Sequence, residues 1–215
     1  MEFIDNLYQE TRAIQEQILN HPFPNRIGDG SLPMASFRHF IEQDYLFLID
    51  YGKILGLAAV KAPDRHKMKA FSALLHETIS TEMELHIQFC ETLGIKEEVL
   101  AETLKDLPTA AYTDFLVRVG YEGSFEEIAA ALLPCMATYS EIGSALISSI
   151  SNDIPVPYKE WISMYSSDEF GELALWMTHL VDELGTSADL SCQSQMVAAY
   201  KSSCLHELNF WTMCA

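Results

Sequence analysis

Basic residues are scarce: 13 Lys and Arg stand against 31 Asp and Glu among 215 residues, for a formal charge of −18. Such a surface repels a phosphate backbone, and no Lys/Arg cluster offers a local exception, so nucleic acid is excluded as a partner. Paired cysteines are missing as well. The five present (Cys90, Cys135, Cys192, Cys204 and Cys214) are odd in number and contain no CxxC spacing. That argues against a disulfide framework or a structural zinc site and for reduced thiols in a cytoplasmic protein. Long apolar runs are also lacking. ILGLAAVKA, around residue 54, reads as the most apolar run and is too short to span a bilayer, and MEFIDNLYQETRAIQEQIL has neither the basic nor the apolar region of a secretory signal. No membrane partner is expected. Period-two alternation and a βαβ rhythm are absent too, which removes strands. GDG at 28–30 is then a turn rather than a phosphate loop, and a serine nucleophile elbow has no strand to stand on.

What remains is helix. Apolar residues make up 49% of the chain, enough for a full core. The periodicity predicts an opening helix over 2–20, a turn-rich loop NHPFPNRIGDGSLP, and a long helix from about Ser36 to Ala62. Asp64 is placed to cap the next helix, which runs to about Thr92 and stops at Gly94. Pro108 belongs in the first turn of another helix ending near Val119, and Ser124 with Glu127 makes a capping box for the one after. NDIPVPY reads as a linker, followed by helices at 158–165, at 168–184 and from Asp189 to the end. With no repeat and no domain-separating linker, the expectation is an all-α, single-domain helical bundle spanning 1–215.

Several helices place polar groups where packing residues belong. Phe37, Phe40, Ile41, Phe47, Leu48 and Tyr51 form a stripe at helical spacing, and Asp44 lies in its middle, whereas Glu42 and Asp50 read as edge carboxylates. Asp44 is either at the stripe's edge or buried, and a buried charge costs several kcal/mol unless it has a partner or a task. Glu207 stands likewise among Tyr200, Cys204, Phe210, Trp211 and Cys214. Cys135 and Tyr139, four apart, share a face just after Pro134, which cannot donate to the helix ladder and should kink it. Tyr158, Trp161, Ile162 and Tyr165 make a further stripe with two hydroxyls. Singly, a cysteine or tyrosine on such a face is core. Together, Asp44, Cys135, Tyr139, Tyr165 and Glu207 suggest an apolar pocket with convergent polar groups, the usual form of a small-molecule site.

Glu77, Glu82, His86, Glu141, His179 and Asp182 offer carboxylate and imidazole groups that could ligate a metal. Glu82 and His86 share a face, but that helix is polar over much of its surface, and no further histidine completes a di-iron set. These residues read as structural or exposed. His21, His39 and His206 lack a pattern for haem ligation. Neither metal nor cofactor is expected.

The blocks QDYLFLIDYGKILGLAAVKAP, LHIQFCETLGI, PTAAYTDFL, CMATYSEIG, YKEWISMY and LHELNFW, in this order, resemble the TenA/thiaminase II family over essentially the whole chain. The resemblance implies a haem-oxygenase-like all-α fold used without haem, commonly a homotetramer. It also implies hydrolysis at the methylene carbon that joins an aminopyrimidine to a leaving amine or thiazolium, in thiamin salvage. By resemblance Cys135 is the nucleophile of the Cys-containing branch, Glu207 the acid/base carboxylate, and Asp44 the carboxylate gripping the pyrimidine's amino group and ring nitrogen. Tyr112, Tyr139 and Tyr165 match pocket phenols, and Phe210 matches an aromatic packed on the ring. Phe47 stands where some members have tyrosine, so stacking survives and that hydroxyl's hydrogen bond does not. A pyrimidine-binding regulatory protein without turnover and a haem-oxygenase-like metal oxidase are the competing readings.

Overall fold

A computed structural model describes residues 2–150 and 153–215. Helices α1 (Glu2–Leu19), α2 (Pro22–Gly28), α3 (Met34–Lys61) and α4 (Arg65–Glu77) lead into a π-helical turn, Thr78–Glu82, and then α5 (Met83–Thr92). There follow α6 (Glu97–Glu102), α7 (Leu107–Glu122), α8 (Phe125–Ile147), α9 (Val156–Tyr165), α10 (Asp168–Ser187) and α11 (Leu190–Cys214). No strand occurs among the described residues, as the missing alternation required.

The termini follow local signals. Asp64 accepts from the His66 and Lys67 amides, Asp189 from Cys192, and Ser124 and Glu127 close the capping box. Gly94, at φ 74°, takes the left-handed position past the end of α5. Three expectations need correction. The loop after α1 contains α2, because Pro22 and Pro24 fall in a first turn, where a missing N–H costs nothing. The stretch expected as one helix over 65–92 is interrupted by the π turn. The linker expected from Asn152, which lies outside the described residues, gives way to helix already at Val156.

α8 is the central element. It packs against α7, α9, α10 and α11, and Ile128–Leu133 are almost wholly buried. It also has the length and hydropathy of a membrane-crossing helix, which makes it, and not the run near residue 54, the most apolar segment; here that apolar surface is buried inside the bundle. Pro134 sits inside α8 without ending it. α9 crosses at Gly143, where a Cβ would come within 2.6 Å of the Tyr165 carbonyl carbon, so only glycine allows this approach. That crossing fixes the position of Tyr165.

Asp50 is not an edge carboxylate. It is buried, and Lys53 at 2.5 Å and Lys105 both donate to it. Burial pushes its carboxyl up, and the two lysines together outweigh that and hold it below the usual range.

Candidate active site

A cavity with about 570 Å³ of empty space, partly open to solvent, lies between α3, α8 and α11. α3 contributes Asp44, Phe47, Leu48 and Tyr51; α8 contributes Cys135, Met136 and Tyr139; α11 contributes Glu207 and Phe210. Tyr112 from α7 and Tyr165 from α9 complete the inner wall. Each of the eight residues singled out from the sequence, Asp44, Phe47, Tyr112, Cys135, Tyr139, Tyr165, Glu207 and Phe210, therefore borders one space. The reason is periodicity: polar groups on the apolar faces of amphipathic helices must converge when those faces pack.

Asp44 is 5% exposed and Glu207 2%. Burial pushes Asp44 up to about 7. Its nearest basic group is His86, whose Nδ1 stands 3.8 Å from Asp44 Oδ2, beyond hydrogen-bond reach. His86, read from the sequence as structural or exposed, is buried, and it is bonded through Nε2 to the Ile41 carbonyl oxygen at 2.9 Å. Burial lowers its pKa, so the imidazole is neutral and supplies Asp44 with no counter-charge. Burial also pushes Glu207 up to about 8, although the Tyr112 hydroxyl donates to its Oε1 at 2.6 Å and pulls it down.

The Cys135 thiol hydrogen-bonds the Leu132 carbonyl oxygen at 3.0 Å. Burial first, and the charge of Glu207 second, raise its pKa well above the usual thiol value, against a hydrogen bond from Tyr51. The resting sulfur is thus a thiol. A thiol in this state can act as a nucleophile only if a base first takes its proton.

Aromatic rings give the space its flat shape. Phe47 lies 5.0 Å from Tyr112 and 6.0 Å from Phe210, centroid to centroid, and Tyr139 lies 4.8 Å from Tyr165. Behind Tyr139, Trp211 is stacked at 4.9 Å, and Trp161 packs 4.9 Å from Tyr165. His206, next to Glu207, stacks on the outer side of Tyr112 at 5.3 Å with its planes 9° apart, which steadies the phenol that holds Glu207.

Sequence reasoning missed several lining residues. Tyr51 is one; its spacing of seven from Asp44 put it on the same face, but a tyrosine in a stripe reads as packing. Leu48 of α3, Met136 of α8, Leu74, Thr78 and Glu82 on the α4–π segment, and Phe170 and Leu173 of α10 are the others. Glu82, a candidate metal ligand in the sequence, reads there as structural or exposed. Among the described residues no group of three or more His, Cys, Asp or Glu is arranged to hold a metal ion. Among the described residues no Lys or Arg lines the cavity, which three carboxylates share.

Comparison with known proteins agrees with this architecture. The aminopyrimidine aminohydrolase of Halalkalibacterium halodurans is 39% identical over 214 residues, spanning 99% of this chain and 95% of that protein. The Helicobacter pylori protein of the same name is 33% identical, over 99% and 98% of the two chains. The crystal structure of a TenA family transcription regulator from Silicibacter sp. TM1040 superposes with a TM-score of 0.91 at 28% identity, covering 99% of this chain and 96% of that one. A Shewanella denitrificans domain of unknown function with a heme oxygenase-like fold, only 14% identical, superposes at 0.78 over 98% and 90% of the chains, a likeness of fold alone. The family model TENA/THI-4/PQQC matches residues 8–215, which includes every residue of the cavity: this chain belongs to that family and has the haem-oxygenase-like fold.

Proposed function

We propose that this protein is an aminopyrimidine aminohydrolase that replaces the amine on the exocyclic methylene of a thiamin-type pyrimidine by hydroxyl. The observation that carries this reading is a thiol beside a carboxylate raised to about 8, in a flat aromatic cavity with acidic groups and no Lys or Arg among its described lining residues. Such a space asks for a flat ligand that is rich in N–H donors and positively charged. The names of the relatives at 39% and 33% identity point to the same chemistry.

In this scheme Asp44 grips the ring amino group and the adjacent ring nitrogen. Cys135 sulfur bonds to an electron-poor ring carbon while its proton passes to Glu207, and Glu207 returns a proton to the ring nitrogen. The methylene–nitrogen bond then breaks with its electron pair going to the departing amine. Water adds to the methylene carbon, the ring nitrogen gives back its proton, and the carbon–sulfur bond breaks to restore the thiol. The net change is aminomethyl plus water to hydroxymethyl plus ammonia. Phe47, Tyr112, Tyr139, Tyr165 and Phe210 hold the ring flat.

The close fit of these five walls to one small ring favours an aminomethylpyrimidine, a thiamin breakdown product, over thiamin, whose thiazolium needs room outside. The physiological role is then salvage. The five free thiols fit a cytoplasmic enzyme that acts as a single domain. Leu104, Leu107 and Leu190, all more than 80% exposed, give a homotetramer apolar surface to bury. The test is mass-spectrometric product analysis with thiamin and the aminomethylpyrimidine side by side. Appearance of the hydroxymethylpyrimidine carrying oxygen from solvent supports the reading; tight binding of both compounds with neither consumed overturns it in favour of a sensing role.

A further inference from the structure

Glu82 has no task in the scheme above, yet it lines the same cavity. It stands at the end of the five-residue π turn, Thr78–Glu82, in an otherwise α-helical rod. π turns give up regular helix geometry and recur at functional sites. Thr78, at the other end of the turn, also lines the cavity; its buried hydroxyl lies beside the Glu82 carboxylate without meeting hydrogen-bond geometry. Of the turn's polar side chains, these two line the cavity, and among the described residues no Lys or Arg lines it beside them.

Their location is informative. Asp44, Tyr112, Glu207 and Phe210 are buried, whereas Leu74, Glu82, Cys135, Phe170 and Leu173 keep partial exposure. The second group marks the side that opens to solvent, and Glu82 is the carboxylate among its five members. A leaving group must exit on that side. Resting on the aminopyrimidine reading, we propose that Glu82 is the leaving-group site: its carboxylate accepts the N–H bonds of the substrate's aminomethyl ammonium and so selects an amine over a thiazolium.

Substrate connectivity agrees with the placement. The ring amino group and the aminomethyl arm occupy adjacent ring carbons, so carboxylates that serve them must be neighbours. Glu82 and Asp44 are close enough that, after burial, the charge of Asp44 is the next cause holding Glu82 up at about 7. The charge of Glu82 is felt in turn at Tyr51, Cys135 and Tyr165, cavity residues on α3, α8 and α9. An ammonium brings three donors and the missing positive charge. A thiazolium brings charge but no N–H, and its bulk would press on this rim.

In the step itself, ionised Glu82 keeps the amine as –NH3⁺. The carbon–nitrogen bond breaks with its pair staying on nitrogen, and neutral ammonia departs. The water that attacks the methylene carbon gives its surplus proton to the ammonia still held by hydrogen bonds at Glu82, so the products are the alcohol and ammonium, and Glu82 itself takes no proton from the water.

The experiment compares Glu82→Gln and Glu82→Asp with the wild type on both compounds, using kcat/KM, or the inhibition constant of thiamin if it is not turned over. A charge-assisted hydrogen bond is worth about 10- to 100-fold. E82Q should lose that much kcat/KM on the aminomethylpyrimidine, with less than about threefold change toward thiamin, and E82D should recover part of the loss. Binding of the hydroxymethyl product, which carries no ammonium, should stay within about threefold and certifies the fold. Equal losses on both compounds, no loss, or a loss of product binding matching the loss of rate would overturn the assignment of Glu82. A wild-type protein that consumes neither compound overturns the aminopyrimidine reading itself, a separate result.

Discussion

Replacing Asp44 by Asn keeps the side chain's shape and removes its charge, and the structure says what that should do. Asp44 is 5% exposed, and its only near basic group, His86, is neutral and 3.8 Å away. Its pKa of about 7 in the fold compares with 3.8 for an ordinary aspartate. The sign follows from proton counts. Between these two values the folded protein holds a proton that the unfolded chain has lost, so stability falls as pH rises through this window. Below it Asp44 imposes no cost; above it the cost is complete. Three pKa units correspond to about 4 kcal/mol, and local relaxation and coupling to the other cavity carboxylates leave about 2 kcal/mol of that. At about 2–4 °C per kcal/mol for a domain of this size, D44N should melt about 4–8 °C above wild type at pH 9 and within about 2 °C of it at pH 5. Turnover should fall by about 10²–10⁴-fold at both pH values. Thermal melts across pH, followed by kinetics on the same samples, decide it. An offset independent of pH, or normal kinetics, refutes the reasoning that this carboxylate is buried and unpaired for the sake of its ligand.

The remaining expectations are narrower. Cys135→Ser should abolish turnover while the protein still folds and binds the hydroxymethyl product by calorimetry; more than about a tenth of the wild-type rate would remove the thiol from its role. Tyr112→Phe deletes the 2.6 Å hydrogen bond that draws Glu207 down, so the Glu207 limb of the pH profile of kcat/KM should move to higher pH by about half a unit or more, and an unmoved limb would dissociate Glu207 from the rate. Gly143→Ala forces a methyl group against the Tyr165 carbonyl and should cost about 1–3 kcal/mol in denaturant unfolding, with KM rising more than kcat falls; unchanged KM would mean that the α8–α9 crossing does not set the cavity wall.

Much of the fold was legible because its signals are local. The Ser124–Glu127 box, the Asp64 and Asp189 caps and the stop at Gly94 each need only a few neighbouring residues. The π turn was not, since one residue of extra winding leaves no mark on composition. Asp50 was misread because its burial depends on Lys105, 55 residues further along and on another element. The site divides in the same way. Asp44, Cys135 and Glu207 stood out as polar groups on apolar faces. Glu82 did not, because it lies among exposed neighbours such as Ser80, Thr81 and Glu84, and only the π turn brings it to the cavity.

The tryptophans behind the cavity give the protein a built-in optical readout. Trp161 and Trp211 lie one ring behind the phenols of Tyr165 and Tyr139, and both are buried, so they sit in apolar surroundings where indole emits at the blue end of its range. Tyr139, at 4.9 Å from Trp211, lies well inside the distance for passing excitation between the rings. An electron-poor heterocycle resting on Tyr139 or Tyr165 accepts an electron from an excited aromatic neighbour and quenches it. Trp176, packed against Phe71, is not among the cavity's lining residues and supplies a reference glow from the same molecule. Occupancy, residence time and the moment of product departure are thereby written into the unlabelled protein's own light.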